Sequence, residues 1–146
     1  MNPIFTPAGP PFADHLQAVA TAVTRVLRSG DVTDVVSLHI SDQHTRISPW
    51  LPGAPLTALL RWAGRLTDPS WTAVVHPPIT ADSGPLVSVY VVGHLDGLPV
   101  ELIGSSYRPL PLDYTDHGRQ QPLDVEAVRE MAEREQSIDL TPEPAP

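Results

Sequence analysis

The segment LVSVYVVGHLDGLPVELIG, residues 86–104, predicts two β-strands joined by a two-residue turn at Asp96-Gly97. An Asp-Gly pair is typical of a type I′ hairpin turn, because both central residues of that turn need positive φ angles. A two-residue turn also fixes the register of the strands on either side. We therefore expect Leu95 to face Leu98, with the later pairs following in order along the two strands.

The two faces of this predicted hairpin differ in polarity. One face carries only aliphatic residues and glycine: Val87, Val89, Val91, Gly93, Leu95, Leu98, Val100, Leu102 and Gly104. The other face mixes serine, tyrosine, histidine and glutamate with aliphatic residues. Because a sheet with one apolar face must bury it against another layer, the hairpin predicts an α+β fold.

Hydrophobic periodicity along the rest of the chain predicts the element order α-β-β-α-β-β-β-α. Helical spacing of apolar residues predicts a helix from Phe12 to Leu27 and a second helix starting at Pro55. We expect a single antiparallel sheet of about five strands, with these helices packed on one face and a third held loosely. Because proline lacks a backbone N–H, Pro99 predicts that the strand over residues 98–104 lies at a sheet edge.

The chain is expected to divide into one domain with appendages. The predicted parts are an extended segment at 1–10, an α+β domain at 11–107, a Pro/Asp-rich loop at 108–122, a charged helix at 123–136 and a disordered tail at 137–146. The acidic residues of the last 26 positions make this appendage more negative than the domain.

Composition excludes several classes of function. The 146 residues include no cysteine, which excludes disulfides, thiolate metal sites and cysteine nucleophiles. All nine basic residues are arginine, and the net charge of −8 disfavours nucleic acid as the main ligand. The N-terminal sequence lacks the features of a signal peptide, and no apolar run would span a bilayer. We expect a cytoplasmic protein without a cofactor.

Two polar clusters could carry chemistry. His94 and Glu101 lie diagonally across the predicted hairpin, and a histidine–carboxylate pair can act as a general base. The alternative is a cross-strand contact on an exposed face, which we favour. The loop from Asp113 to His117 is rich in oxygen ligands, but it lacks the spacing of a calcium loop. We expect no catalytic or metal-binding residue in either place.

Other residues are candidates for binding a partner protein. Arg61 and Arg65 lie one helical turn apart, and Arg108 precedes a Pro-Leu-Pro-Leu run like those that bind in extended form. The charged helix has a thin apolar line that includes Val125 and Val128. This line either docks on the domain or binds a partner, and we expect docking because such a helix is unstable alone.

The segments LLRWAGRL, residues 59–66, and VGHLDGLPVELIG, residues 92–104, resemble parts of small accessory proteins of actinobacterial plasmids, integrative elements and phages. The similarity covers about residues 35–107 and includes no catalytic motif. It implies a role in the transfer, spread or regulation of a mobile element. The leading hypothesis is a non-enzymatic interaction protein whose partner is another protein, with self-association left open. The alternatives are a small enzyme using the histidine–carboxylate pair and a nucleic-acid-associated regulator.

Overall fold

The structure, a computed structural model, describes residues 12–139 except 42, 43, 81, 83, 107 and 108. They form three helices and a single six-stranded mixed sheet, which confirms the predicted α+β class. The elements are α1 (Phe12–Ser29), β1 (Asp34–Ile40), β2 (Thr45–Trp50), α2 (Pro55–Ala63), β3 (Thr67–His76), β4 (Leu86–Leu95), β5 (Leu98–Ser106), β6 (Gln120–Pro122) and α3 (Val125–Asp139).

Two predicted parts of the chain have different bounds in the structure. The charged helix, predicted at 123–136, spans Val125–Asp139. The predicted loop at 108–122 ends in β6, which pairs antiparallel with β3. The extended segment predicted at 1–10, Arg108 and residues 140–146 of the predicted tail lie outside the described residues.

The β4–β5 hairpin has the predicted register. Leu95 pairs with Leu98, and the antiparallel pairing continues in step to Val87 and Ser106. The φ angle is 51° at Asp96 and 79° at Gly97. These are the positive values that a type I′ turn requires, so the turn prediction is confirmed.

We expect the substitution Gly97→Val to lower the free energy of unfolding by at least about 1 kcal/mol, because a β-branched residue resists a positive φ. Gly84→Val is the matched control, since Gly84 has no positive φ and a Cβ added there would contact nothing within 4 Å. Chemical denaturation of both variants measures the difference. Equal midpoints would contradict the strain assigned to Gly97.

The strand order is β1-β2-β5-β4-β3-β6, so β5 lies inside the sheet. The prediction that Pro99 places this strand at an edge is therefore wrong. The parallel pairing of β2 with β5 joins Arg46 to Glu101 and Ile47 to Leu102, and it begins beyond Pro99. The residue without an N–H thus precedes the ladder, and the strand tolerates it there.

The core lies between the apolar face of the sheet and the helices. The side chain of Leu59 in α2 rests on Gly104, where an added Cβ would lie 2.7 Å from Leu59 Cδ1. Trp62 is fully buried, and its indole Nε1 donates a 2.9 Å hydrogen bond to the backbone oxygen of Thr33. Val19, Ala22, Val23 and Val26 of α1 complete this cluster.

α3 packs against α2 and does not stand free. Val128 is fully buried and Ala132 is nearly so, both within the main core cluster. Leu123, just before the helix, is buried in the same cluster. The structure therefore has α3 docked on the domain, as we expected from the sequence.

A carboxylate of α3 caps the first turn of α2. The N-cap position of α2 is Ala54, which has no side-chain oxygen to accept a hydrogen bond. The buried Glu135 instead accepts hydrogen bonds from the backbone N–H of Leu56 at 3.2 Å and of Thr57 at 3.3 Å. The hydroxyl of Thr57 also lies 3.4 Å from this carboxylate. Glu135 thus supplies from another helix the acceptor that a local cap residue usually provides.

Candidate interaction surface

The face of the sheet opposite the core contains the candidate site. Registers place the following side chains on this face, called here the open face: His39, Arg46, Trp50, Tyr90, Val92, His94, Glu101 and Ile103. Along β4 the buried residues alternate with these more exposed ones, as expected for a sheet covered on one side. Trp50 is 50% exposed and Val92 is 48% exposed. Large apolar side chains therefore remain accessible on the open face.

Glu101 does not pair with His94 as the sequence predicted. Its Oε1 accepts a 2.8 Å hydrogen bond from Nε of Arg46, and it lies 3.7 Å from Nε2 of His44. The parallel β2 strand places Arg46 directly beside Glu101, whereas His94 lies opposite Pro99. A permanently charged guanidinium next to the carboxylate is the stronger partner. The histidine–carboxylate pair proposed for acid–base chemistry is not formed.

A cavity of about 110 Å³ adjoins this ion pair. It lies where β5 begins before β2, and its lining comprises His44, Thr45, Val92, Pro99, Val100 and Glu101. Nε2 of His44 and Oγ1 of Thr45 are buried atoms with no hydrogen-bond partner in the structure. Since buried polar atoms are nearly always hydrogen-bonded, both can form a hydrogen bond with a polar group that enters the cavity.

Of the two arginines predicted to bind a partner, Arg65 is paired with an acid. Its Nη1 bonds to Asp31 at 3.0 Å. Arg61 is exposed on α2. The acid beside Arg65 weakens this pair as an anion-binding surface.

The apolar line of α3 is occupied by the chain itself. Val128 is fully buried and Val125 is half-buried against the core. The enclosed side chain of Val128 cannot contact a partner without undocking the helix, so we assign it a structural role. Binding of a partner protein at the half-buried Val125 stays a prediction.

The acidic loop forms its own internal contacts. The Asp113 carboxylate accepts hydrogen bonds from the hydroxyl of Thr115 at 2.6 Å and from its backbone N–H at 3.0 Å. These bonds, the hydroxyl first, hold the pKa of Asp113 below its usual value. Asp116 pairs with Arg119. Within the described residues, no three histidine or acidic side chains are grouped so that they could hold a metal ion.

No protein-family model matches the chain, and no curated protein or solved structure matches it. In the described part of the chain, no helix has both the length and the apolar character needed to cross a membrane.

Sequence reasoning missed the contact of Arg46 with Glu101 and the cavity beside it. Both depend on the parallel pairing of β2 with β5, whose paired residues are 55 positions apart. The available signal was the arginine in a short alternating segment, TRISPW at residues 45–50. That signal locates a charged side chain on a strand, but it does not identify the neighbouring strand.

Proposed function

We propose that this chain is a protein-interaction module that binds a partner protein through the open face of its sheet. The observation that carries the proposal is that two large apolar side chains, Trp50 of β2 and Val92 of β4, are each about half exposed on the open face. Exposed apolar surface on one face of a sheet is a place where a partner protein can bind. Tryptophan in particular is enriched among the residues that dominate binding energy.

The ion pair and the cavity fit the same role. Arg46 and Glu101 stand among apolar side chains and provide directional contacts that can fix the orientation of a partner. The atoms of His44 and Thr45 that lack a hydrogen-bond partner can donate or accept, so a polar group of the partner can satisfy them. A partner that presents an apolar surface with one polar group would be complementary to this part of the face.

The resemblance of residues 35–107 to mobile-element accessory proteins guides the choice of partner. We infer that the partner is encoded on the same element and that binding supports its transfer or spread. Proteins encoded beside this chain are therefore the first to be tested, singly and in purified form.

We expect Trp50→Ala combined with Val92→Arg to weaken binding of such a partner at least about 30-fold, since an aromatic contact that dominates an interface is worth about 2 kcal/mol or more. Arg61→Ala is the matched control on the helical side of the domain. Isothermal titration calorimetry with the purified partner measures both, after circular dichroism has shown that each variant is folded. Binding that depends on Arg61 but survives the open-face substitutions would refute the proposal.

A further inference from the structure

β1 is an edge strand that has a bulge near its start but no protecting charge or proline along its later residues. It lies at the end of the strand order, and none of the described strands pairs with its outer side. Its sequence, DVVSLHI, contains neither proline nor lysine, and its only acid is the first residue. Val36 is 66% exposed and Leu38 is 39% exposed. Natural proteins usually place charge or proline on such edges to prevent pairing with another chain.

The free hydrogen-bonding groups of β1 can be assigned from its hairpin with β2. The backbone N–H of Ser41 donates to the backbone oxygen of His44 at 2.8 Å. Since bonded and non-bonded pairs alternate along an antiparallel ladder, His39 and Ser37 face β2 with their N–H and C=O groups. The corresponding groups of Leu38 and Ile40 therefore point toward the free edge.

We propose that β1 pairs antiparallel with β1 of a second copy of this chain, about a two-fold axis at Leu38. This register places Leu38 opposite Leu38 of the second copy, and Ser37 opposite His39. Leu38, which is 39% exposed, is then covered by its counterpart in a cross-strand pair. Because the axis is two-fold, the outward-facing N–H and C=O groups of Leu38 in each copy bond to those of Leu38 in the other copy.

The two edges of the sheet differ in length, and this favours pairing of β1 with β1 of a second copy over pairing of β1 with β6 of another copy. The opposite edge is β6, which has only three residues and ends in Pro122. It offers few groups to a neighbouring strand, so an open chain of copies is disfavoured. Pairing of β1 with itself closes the assembly as a symmetric dimer. The bulge between Val35 and Ser37 bends the start of the strand, which limits the pairing to its later residues.

This inference is independent of the proposed function. Antiparallel pairing about an axis perpendicular to the sheet joins the two sheets into one and keeps both open faces on the same side. A dimer would thus present two copies of the open face to one partner surface.

The test is sedimentation equilibrium of the full chain and two variants. We expect the wild-type chain to have about twice its monomer mass of 15.8 kDa. Leu38→Lys places two positive charges opposite one another at the axis, and this variant should sediment as a monomer. Val92→Lys adds the same charge to an exposed position of the open face and should remain dimeric.

A single cysteine tests the register. The chain contains no cysteine, so Leu38→Cys and Val92→Cys each carry one thiol. Under mild oxidation Leu38→Cys should form a disulfide-linked dimer far faster than Val92→Cys, because directly opposed Cβ atoms lie within reach of a disulfide. A wild-type chain that is monomeric at NMR concentrations would overturn the proposal, as would a dimer that Leu38→Lys leaves intact.

Discussion

Truncation after Pro122 is expected to lower the free energy of unfolding by about 4 kcal/mol, a large part of the stability of a domain of this size. The deletion removes the buried side chains of Leu123, Val128 and Ala132. It also exposes the surface of α2 on which α3 packs, and it removes the carboxylate that caps α2. Urea denaturation followed by tryptophan fluorescence measures the loss, because Trp62 reports on the packing of α2.

Truncation after Asp139 is the matched control for this prediction. It removes only LTPEPAP, residues 140–146, whose prolines and acid offer little apolar area for burial. This shorter deletion should leave the denaturation midpoint unchanged. If the chain ending at Pro122 unfolded at the same urea concentration as the full chain, α3 would be a dispensable arm and its docking would contribute no stability.

The hairpin at residues 86–104 could be predicted because its determinants are local. The Asp96-Gly97 turn specifies the positive φ angles, and the turn length then dictates every cross-strand pair to Val87. Alternation of apolar and polar residues also predicted which face of the sheet is buried. These are properties of neighbouring residues, so one sequence contains enough information to specify them.

The position of β5 inside the sheet could not be predicted in the same way. Proline is compatible with an edge strand, but it is equally compatible with a strand whose neighbour begins one or two residues later. The choice depends on where β2 lies, and the energy of that pairing comes from burial of Ile47 against Leu102 in the core. The identity of Glu101's partner follows from this placement. The sequence therefore did not predict the candidate site, because this site depends on the pairing of two strands that are distant along the chain.

The helical periodicity of α1 does not predict which of its apolar residues are buried. Phe12, Leu16 and Leu27 share a helical face with residues that are buried. In the structure Phe12 and Leu16 are exposed, whereas Val19 and Val23 are in the core. Helical periodicity specifies the direction in which a side chain points, but the extent of the layer beneath the helix decides whether it is covered.

The capping role of Glu135 had no signal in the sequence. A helix that starts with Ala-Pro lacks a local side-chain acceptor, which could have suggested that its first N–H groups need one from elsewhere. Which acid of α3 reaches the start of α2 depends on the angle at which the two helices pack, and the sequence does not give this angle. The resulting contact joins Glu135 to Leu56 and Thr57, which are 79 and 78 positions away along the chain.

Glu135→Ala is expected to lower the free energy of unfolding by about 2–3 kcal/mol, because it leaves buried N–H groups of α2 without this acceptor. Glu135→Gln retains an uncharged oxygen and loses the favourable charge near the helix N-terminus, so we expect a smaller loss of about 1 kcal/mol. Glu133→Ala is the matched control, since Glu133 is exposed on the same helix. Urea denaturation of the three variants measures the order of their losses in the free energy of unfolding.

A double-mutant cycle separates capping from the general loss of a buried side chain. Thr57→Val removes the hydroxyl that lies 3.4 Å from the Glu135 carboxylate while preserving the volume of the residue. If the carboxylate acts on the first turn of α2, the losses from Thr57→Val and Glu135→Ala should be less than additive by at least about 0.5 kcal/mol. Full additivity, with Glu135→Gln as stable as the wild-type chain and only Glu135→Ala destabilised, would mean that Glu135 contributes only by filling space between the helices.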